Sequence, residues 1–141
     1  MTVTASRLAI PGWIELSQAT DARGILTSIE SRLDIPFEPK RVFFITDAAG
    51  DRGNHAHRFT NQLIVSAAGE FAVDVSTGGD WTTYDMVHRN RALFLPPMSW
   101  VRLHDFSSDA VCLVLADTSY ADAVYIRDWE EFVRETALKN S

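Results

Sequence analysis

Two histidines separated by one residue are the side chains of this sequence best suited to chemistry. His55 and His57 stand in the segment RGNHAH, and Gln62 follows five residues later. If this segment is a strand, both imidazoles project to the same side, because side chains alternate along a strand. Such a pair can bind a metal ion or transfer protons, since the ordinary pKa of histidine is about 6.5. The pattern favours a working site over a structural histidine.

The histidine pair and Gln62 have the spacing of the first sequence motif of the cupin barrels, but the metal ligands of that motif are incomplete. The motif normally carries Glu where Gln62 stands. A second motif normally adds a His after a turn, and here the turn PPMSW is followed by Val101. An amide and an isopropyl group are poor replacements for a carboxylate and an imidazole. We therefore expect no metal and no cofactor, and a metal-dependent enzyme using His55, His57 and His104 remains the alternative.

The composition is that of an ordinary globular protein. The chain has 141 residues, of which 46% are hydrophobic and 23% charged, so we expect one domain over residues 1–141. A net charge of −6 argues against a protein that binds nucleic acid through the electrostatic field of the whole molecule. The longest apolar run, Ala110 to Ala116, is too short to cross a bilayer, and it places the single cysteine, Cys112, in the core. With no secretory signal at the N-terminus, we expect a cytoplasmic protein that binds no membrane.

Short apolar runs between frequent turns predict an all-β fold. Glycines in AAGE and STGGD indicate two hairpin turns. Asp128 and Glu131 form a capping pattern that predicts one helix from there to the C-terminus. Many short strands with no helices between them are typical of a jelly roll. The predicted strands, besides the histidine segment, lie across residues 24–30, 41–45, 62–66, 70–76, 92–95 and 110–116.

From end to end the chain resembles the sugar-nucleotide 3,4-ketoisomerases, small cupins that act on dTDP-4-keto-6-deoxyglucose and also occur as WxcM-like domains. Several separate motifs carry the resemblance, and their order matches. They are DARG at 21–24, IPFEPKRVFFI at 35–45, RGNHAH at 52–57, the spacing of Gln62 and Gly69, LPPMSW at 95–100, DFSSDAVCLVLA at 105–116 and YIRDWEEF at 125–132.

The resemblance implies a cupin-type double-stranded β-helix, or jelly roll, with a short C-terminal helix, and a homodimer without metal. It also implies an isomerase that converts dTDP-4-keto-6-deoxyglucose into a dTDP-3-keto-6-deoxyhexose for deoxyamino-sugar biosynthesis. Such a reaction removes the proton at C-3, passes through an enediol or enediolate and returns a proton at C-4. It needs a base, an acid and a group that stabilises negative charge on oxygen.

The resemblance also implies roles for individual residues. His55 and His57 would move the protons, with Arg41 near the developing charge. Arg23 would contact the diphosphate, across the dimer interface, since a guanidinium can pair with phosphate oxygens in a bidentate manner. The remaining substrate-binding candidates are Arg52, Gln62, Trp100, Arg102 and Tyr125.

Two aromatic residues depart from the family pattern. Phe43 and Phe44 stand where the family commonly has tyrosine, and phenylalanine has no hydroxyl with which to carry a proton. If the reaction needs that tyrosine, four outcomes are open: a slow enzyme, formation of the other C-4 epimer, use of another hydroxyl such as that of Tyr84 or Tyr125, or loss of catalysis. The alternative is a non-catalytic cupin that binds a sugar nucleotide.

Overall fold

Antiparallel strands make up most of the regular structure in the computed structural model, which describes residues 10–139. One helix follows the strands in this part of the chain. The strands are β1 Gly12–Glu15, β2 Ser17–Asp21, β3 Gly24–Ser28, β4 Arg41–Ile45, β5 Arg52–His57, β6 Gln62–Ala68, β7 Phe71–Ser76, β8 Trp81–Met86, β9 Arg91–Leu95, β10 Trp100–His104, β11 Val111–Ala116 and β12 Tyr125–Ile126, and the helix is α1 Trp129–Lys139.

Two five-stranded sheets form the body of the fold. The first has the strand order β1-β9-β6-β11-β4 and the second β12-β5-β10-β7-β8, while β2 and β3 form a separate hairpin. Neighbours within each sheet are often distant in sequence, as in a jelly roll, where the chain crosses repeatedly between two sheets. The predicted all-β cupin-type jelly roll with a short C-terminal helix is confirmed.

The main core lies between the two sheets. Alternate residues of β7 and β10, such as Val73 and Val101, face residues of the first sheet such as Leu93 and Cys112, and all four are buried. Alternation sends one side of each strand into this interior. The prediction for Cys112 is confirmed, and burial raises the pKa of its thiol to about 12.

Helix α1 covers the outer face of the second sheet. Its Phe132 is fully buried against Trp100 and Ala56. The Asp128 carboxylate accepts a hydrogen bond from the Glu130 backbone N–H at 3.0 Å, which confirms the predicted N-terminal cap. No helix within residues 10–139 has the length and apolar character that a membrane crossing requires.

The predicted strands occur with shifts of one or two residues at their ends, but β1, β2, β8, β10 and β12 were not among the predicted strands. Strands β2 and β8 are mostly exposed and polar, so they lack the apolar pattern of a buried strand. Both predicted hairpin turns are present, with Gly69 at φ 64° and Gly78 at φ 114°. These are conformations that glycine adopts without the strain imposed by a Cβ atom.

Candidate active site

A cavity of about 380 Å³ opens between the sheets, and it contains both histidines. Apolar side chains such as Ile64, Val101 and Leu103 form one part of its wall. Polar residues of β4, β5 and β6 form another part, and the segment after β11 supplies two tyrosines. The barrel interior is therefore packed over part of its length and hollow at the histidines.

Strand β5 aims its histidines into this cavity. His55 and His57 line the cavity, whereas Ala56 between them is fully buried on the side of helix α1. The strand is irregular just before the pair, since Gly53 and Asn54 have φ values of 85° and 61° and the pairing with β10 shifts register there. Bulges of this kind redirect side chains near functional sites.

The two imidazoles and Tyr125 form a compact aromatic group. The ring centroids of His55 and His57 are 5.3 Å apart. The ring of Tyr125, which is paired with His57 across β5 and β12, lies 4.9 Å from the His55 ring and 4.5 Å from the His57 ring. Contact on several sides restricts the orientation of each ring, which keeps both imidazoles directed at the same space.

Both imidazoles are held in the neutral form near neutral pH. Burial lowers the pKa of His57 to about 3, and repulsion from His55 when it is protonated, from Arg41 and from Arg127 adds to this effect. Burial also lowers the pKa of His55, with Arg127 as the next cause, while a backbone hydrogen bond at Gly53 opposes the shift. A neutral imidazole can accept a proton, so each histidine is available as a base.

Arg41 presents free hydrogen-bond donors to the cavity. Its guanidinium lies 5.2 Å from the ring centre of Phe43 and 5.7 Å from that of Tyr120. Its Nε and Nη2 atoms are buried without a hydrogen-bond partner in residues 10–139, and the same holds for Nδ1 of His57. Buried polar groups are nearly always paired in native proteins, so these atoms point to a polar ligand.

The cavity is positively charged. Arg41 and Arg52 line it, and its described lining contains no aspartate or glutamate. Gln62 adds a buried amide that can donate or accept hydrogen bonds. The site therefore suits an anionic or oxygen-rich ligand.

Three predicted substrate-binding residues lie elsewhere in the structure. Arg23 is at the exposed turn of the β2–β3 hairpin, where its side chain is 90% exposed and pairs with Asp21 at 2.6 Å. Trp100 and Arg102 project from the face of β10 opposite Val101, where Trp100 packs beneath α1 and Arg102 pairs with Asp51 at 3.0 Å. The structure therefore does not bring these three residues to the histidine cavity.

His104 and Tyr84 are also separate from the cavity. The ring nitrogens of His104 lie 3.0 Å from carboxylate oxygens of Asp74 and Asp105, and Tyr84 packs against Trp13. Across residues 10–139 no three His, Cys, Asp or Glu side chains are grouped so that they could hold a metal ion. The donor set therefore does not fit a cupin metal centre, and the alternative that uses His104 gains no support.

Two residues of the site were not predicted. Tyr120 lines the cavity from the irregular segment between β11 and β12, and Arg127 lies beside Tyr125. Neither follows a periodic pattern, because loop residues are placed by tertiary packing. The only local signal was the motif YIRD, which contains both Tyr125 and Arg127.

Comparison with known families identifies the chain. Residues 11–137 match the family model described as FdtA: WxcM-like, C-terminal. The chain belongs to this family. The match spans nearly all described residues, including the whole of the histidine cavity, and it confirms the resemblance found in the sequence motifs.

Similar proteins share an activity in their names. The chain is 36% identical over 129 residues to the TDP-4-oxo-6-deoxy-alpha-D-glucose-3,4-oxoisomerase of Aneurinibacillus thermoaerophilus, covering 90% of this chain and 93% of that protein. A variant of the 3,4-ketoisomerase QdtA from Thermoanaerobacterium thermosaccharolyticum, solved with TDP-4-keto-6-deoxyglucose, is 27% identical, with a TM-score of 0.87 and coverage of 92% and 95%. A 3,4-ketoisomerase from Helicobacter canadensis is 31% identical, with a TM-score of 0.85 and coverage of 90% and 97%.

Proposed function

We propose that this protein is an isomerase that converts dTDP-4-keto-6-deoxyglucose into a dTDP-3-keto-6-deoxyhexose by acid–base proton transfer. The observation that carries the proposal is a pair of neutral imidazoles, 5.3 Å apart, in one cavity with unpartnered guanidinium N–H groups. Moving a carbonyl between adjacent carbons needs a base, an acid and a donor to the negative oxygen. The cavity contains groups suited to each of these tasks.

His55 and His57 move the protons in this proposal. One neutral imidazole takes the proton from C-3, and the electrons of that C–H bond form a double bond to C-4 while the C-4 carbonyl becomes an enediolate oxygen. That oxygen is then protonated, C-4 takes a proton, and the C-3 hydroxyl loses one to become the new carbonyl. Protons and electrons balance, so the reaction needs no oxidant or reductant.

Arg41 stabilises the enediolate in this scheme. Its buried Nε and Nη2 atoms have no hydrogen-bond partner among the described residues, so they are free to donate to an oxygen that becomes negative. Donors that are fixed before the reaction stabilise developing charge without reorganising, which makes this one of the larger contributions to catalysis. Phe43 and Tyr120 pack against the guanidinium and restrict its movement.

The diphosphate of the substrate fits the positive charge of the cavity. Arg52 lines the same opening as Arg41 and can pair with phosphate oxygens. Bound phosphate also offsets the field of Arg41 and Arg127, which are among the charges that lower the pKa of His57. Substrate binding therefore opposes the part of the lowered pKa of His57 that these charges cause, while burial, the largest cause, remains.

We infer that the protein acts as a homodimer through the β2–β3 hairpin and strand β4. Strand β4 lies at the edge of the first sheet and exposes Val42 and Phe44 by 60% and 66%, while the hairpin exposes Ile25 and Leu26 by 65% and 63%. Exposed apolar groups beside an open sheet edge are typical of an interface, and two-fold dimers are the commonest assembly. In such a dimer, Arg23 at the tip of the hairpin would reach the partner's cavity and contact the diphosphate.

Mixing two inactive variants tests the role of Arg23. Arg23→Ala and His57→Ala each disable a site, but a mixed dimer contains one site with both residues intact if Arg23 acts across the interface. After refolding equal amounts together, about a quarter of the wild-type activity should return, since half of the dimers are mixed and half of their sites are complete. Activity no higher than that of the separate variants would place Arg23 in its own subunit's site, and full activity of Arg23→Ala alone would place it outside any site.

The cytoplasm is the proposed location, and residues 1–141 are proposed to form one domain. The single cysteine, Cys112, is buried and unpaired, as is usual in a reducing compartment. The 3-keto product offers a carbonyl that an aminotransferase can convert to an amine, which suits the synthesis of a deoxyamino sugar. The next enzyme would then be of the aminotransferase class.

The second candidate function is binding of a sugar nucleotide without catalysis. Phe43 favours it, because this cavity-facing ring has no hydroxyl with which to carry a proton. A non-catalytic protein would bind dTDP-linked sugar tightly and show no turnover, and His57→Ala would leave its affinity unchanged. Calorimetric titration with dTDP, run beside the turnover assay, separates the two functions.

Turnover is measured directly by proton NMR with dTDP-4-keto-6-deoxyglucose as substrate. We expect the wild-type protein to form a 3-keto product, and we expect His57→Gln to lower kcat at least about a hundredfold, as is usual when a proton-transfer group is removed. His88→Gln is the matched control, because His88 is an exposed histidine outside the cavity. Wild-type protein that binds dTDP but forms no product would overturn the proposal.

A further inference from the structure

An arginine that is absent from the cavity lining lies directly on the aromatic group of the site. The guanidinium carbon of Arg127 is 4.4 Å from the ring centre of Tyr125. That ring in turn lies 4.9 Å from the ring of His55 and 4.5 Å from that of His57. Arg127 is therefore connected to both imidazoles through one intervening ring.

The local chain geometry explains this placement. Tyr125 begins strand β12, which pairs with β5 so that Tyr125 is opposite His57, and Arg127 directly follows the end of this strand. From that position the guanidinium of Arg127 lies over the ring of Tyr125 in a cation–π contact. Arg127 is exposed, and no carboxylate hydrogen bond to it is present in the described part of the chain.

We propose that Arg127 is a positioning residue of the histidine site: it holds Tyr125 against the two imidazoles and supplies a fixed positive charge beside them. This assignment rests on the proposed function, in which neutral imidazoles move the protons. Arg127 touches neither substrate nor reacting atoms in this role. It acts through its contact with Tyr125 and through the electrostatic field of its guanidinium at the two imidazoles.

The surrounding charges support a specific effect of Arg127. It is the first charge, after burial, that lowers the pKa of His55, and it also contributes to the lowered pKa of His57. The other ionisable groups that face the two imidazoles are Arg41 from β4, Arg52 from β5, and Tyr120 and Tyr125 from the segment after β11. None of these is a carboxylate, so nothing in the described lining cancels the positive field.

The test follows the His55 imidazole by NMR in the substrate-free protein. We expect Arg127→Gln to raise the titration midpoint of His55, because a nearby like charge is removed, and we expect Arg127→Lys to raise it less. The wild-type midpoint should approach that of Arg127→Gln in about 1 M salt, where an exposed charge is screened within about 3 Å. Arg134→Gln removes an equal charge from an exposed site on α1 and should leave the midpoint unchanged.

Kinetics supply the second measurement. In Arg127→Gln the acid limb of the plot of kcat/KM against pH should shift to higher pH together with the His55 midpoint. The reason is that this plot reports the ionisation of the free enzyme. A His55 midpoint equal in wild type and Arg127→Gln would overturn the assignment of Arg127, whatever the activity. If the midpoint shifts in Arg127→Gln but the wild-type protein shows no turnover, the role of Arg127 in lowering the pKa of the imidazoles is supported. The proposed isomerase activity is then contradicted.

Discussion

The buried His57 should make the stability of the protein fall as the pH is lowered. In the folded protein its pKa is about 3, while in the unfolded chain it takes the ordinary value of about 6.5. The folded state favours the neutral imidazole, so this histidine costs no stability above about pH 6.5 and destabilises the fold progressively as the pH falls from there towards 3. The cause is burial first, followed by the positive charges around the ring.

The size of this effect follows from linkage. At about pH 5 the imidazole is about 97% protonated in the unfolded chain and about 1% protonated in the folded protein. His57 alone therefore lowers the free energy of unfolding by about 2 kcal/mol between pH 8 and pH 5. Its side chain is well buried, with the residue only 5% exposed, so solvent screens this effect little.

Urea unfolding at fixed protein concentration measures the effect. We expect the free energy of unfolding to fall by about 2 kcal/mol more in the wild type than in His57→Gln between pH 8 and pH 5. His104 titrates in both proteins and cancels in the difference, whereas any change in His55 caused by losing its neighbour His57 is counted with the effect of His57. His88→Gln should retain the wild-type dependence. An equal pH dependence in wild type and His57→Gln would refute the reasoning.

Three further predictions concern other parts of the structure. Gly69→Ala should lower the free energy of unfolding by at least about 1 kcal/mol in urea titrations, because a Cβ at φ 64° would also lie 2.7 Å from backbone atoms of Ala110. Phe44→Asp should convert the dimer to a monomer in light scattering, because it puts a charge into the proposed apolar interface. Tyr125→Phe should keep kcat within about tenfold of wild type, whereas Tyr125→Leu should lower it further, because the ring rather than the hydroxyl packs against both imidazoles.

Matched variants control for these results. Gly79→Ala adds a Cβ where nothing lies within 4 Å and should leave stability nearly unchanged. Val87→Asp places a charge on another exposed apolar residue, directly after β8 of the second sheet, and should leave the oligomeric state unchanged. Equal destabilisation by the two alanine variants, an unchanged mass for Phe44→Asp, or equal kcat in the two Tyr125 variants would each contradict the corresponding prediction.

The histidine pair and Arg41 could be identified from the sequence, since a period of two and the family motifs fix both the strand and its spacing. The sequence did not show which side chains of β10 face the cavity. Alternation shows that Trp100 and Arg102 share a side, but it does not show which side faces the cavity. An apolar Trp100 is compatible with the interior, yet here it is buried beneath α1 instead.

Features that depend on several elements at once were also beyond the sequence. The turn of the chain at Gly53 and Asn54 is a local departure from a regular strand, and only the pairing with β10 reveals it. Tyr120 reaches the cavity from an irregular segment, and Arg127 reaches the histidines through a ring on the strand that pairs with β5. Such contacts are set by tertiary packing, which a single sequence does not specify.

The proposed reaction requires two neutral imidazoles to exchange protons with carbon atoms of the bound keto sugar. Incubation with dTDP-4-keto-6-deoxyglucose in deuterated water, followed by proton NMR, tests it most directly. We expect the C-3 proton signal to be lost as the 3-keto product forms, and we expect this loss to be strongly slowed in His57→Gln and unaffected in His88→Gln. Retention of the C-3 proton in wild-type protein that binds dTDP, throughout about pH 6 to 9 where an ordinary imidazole is largely neutral or titrating, would contradict it.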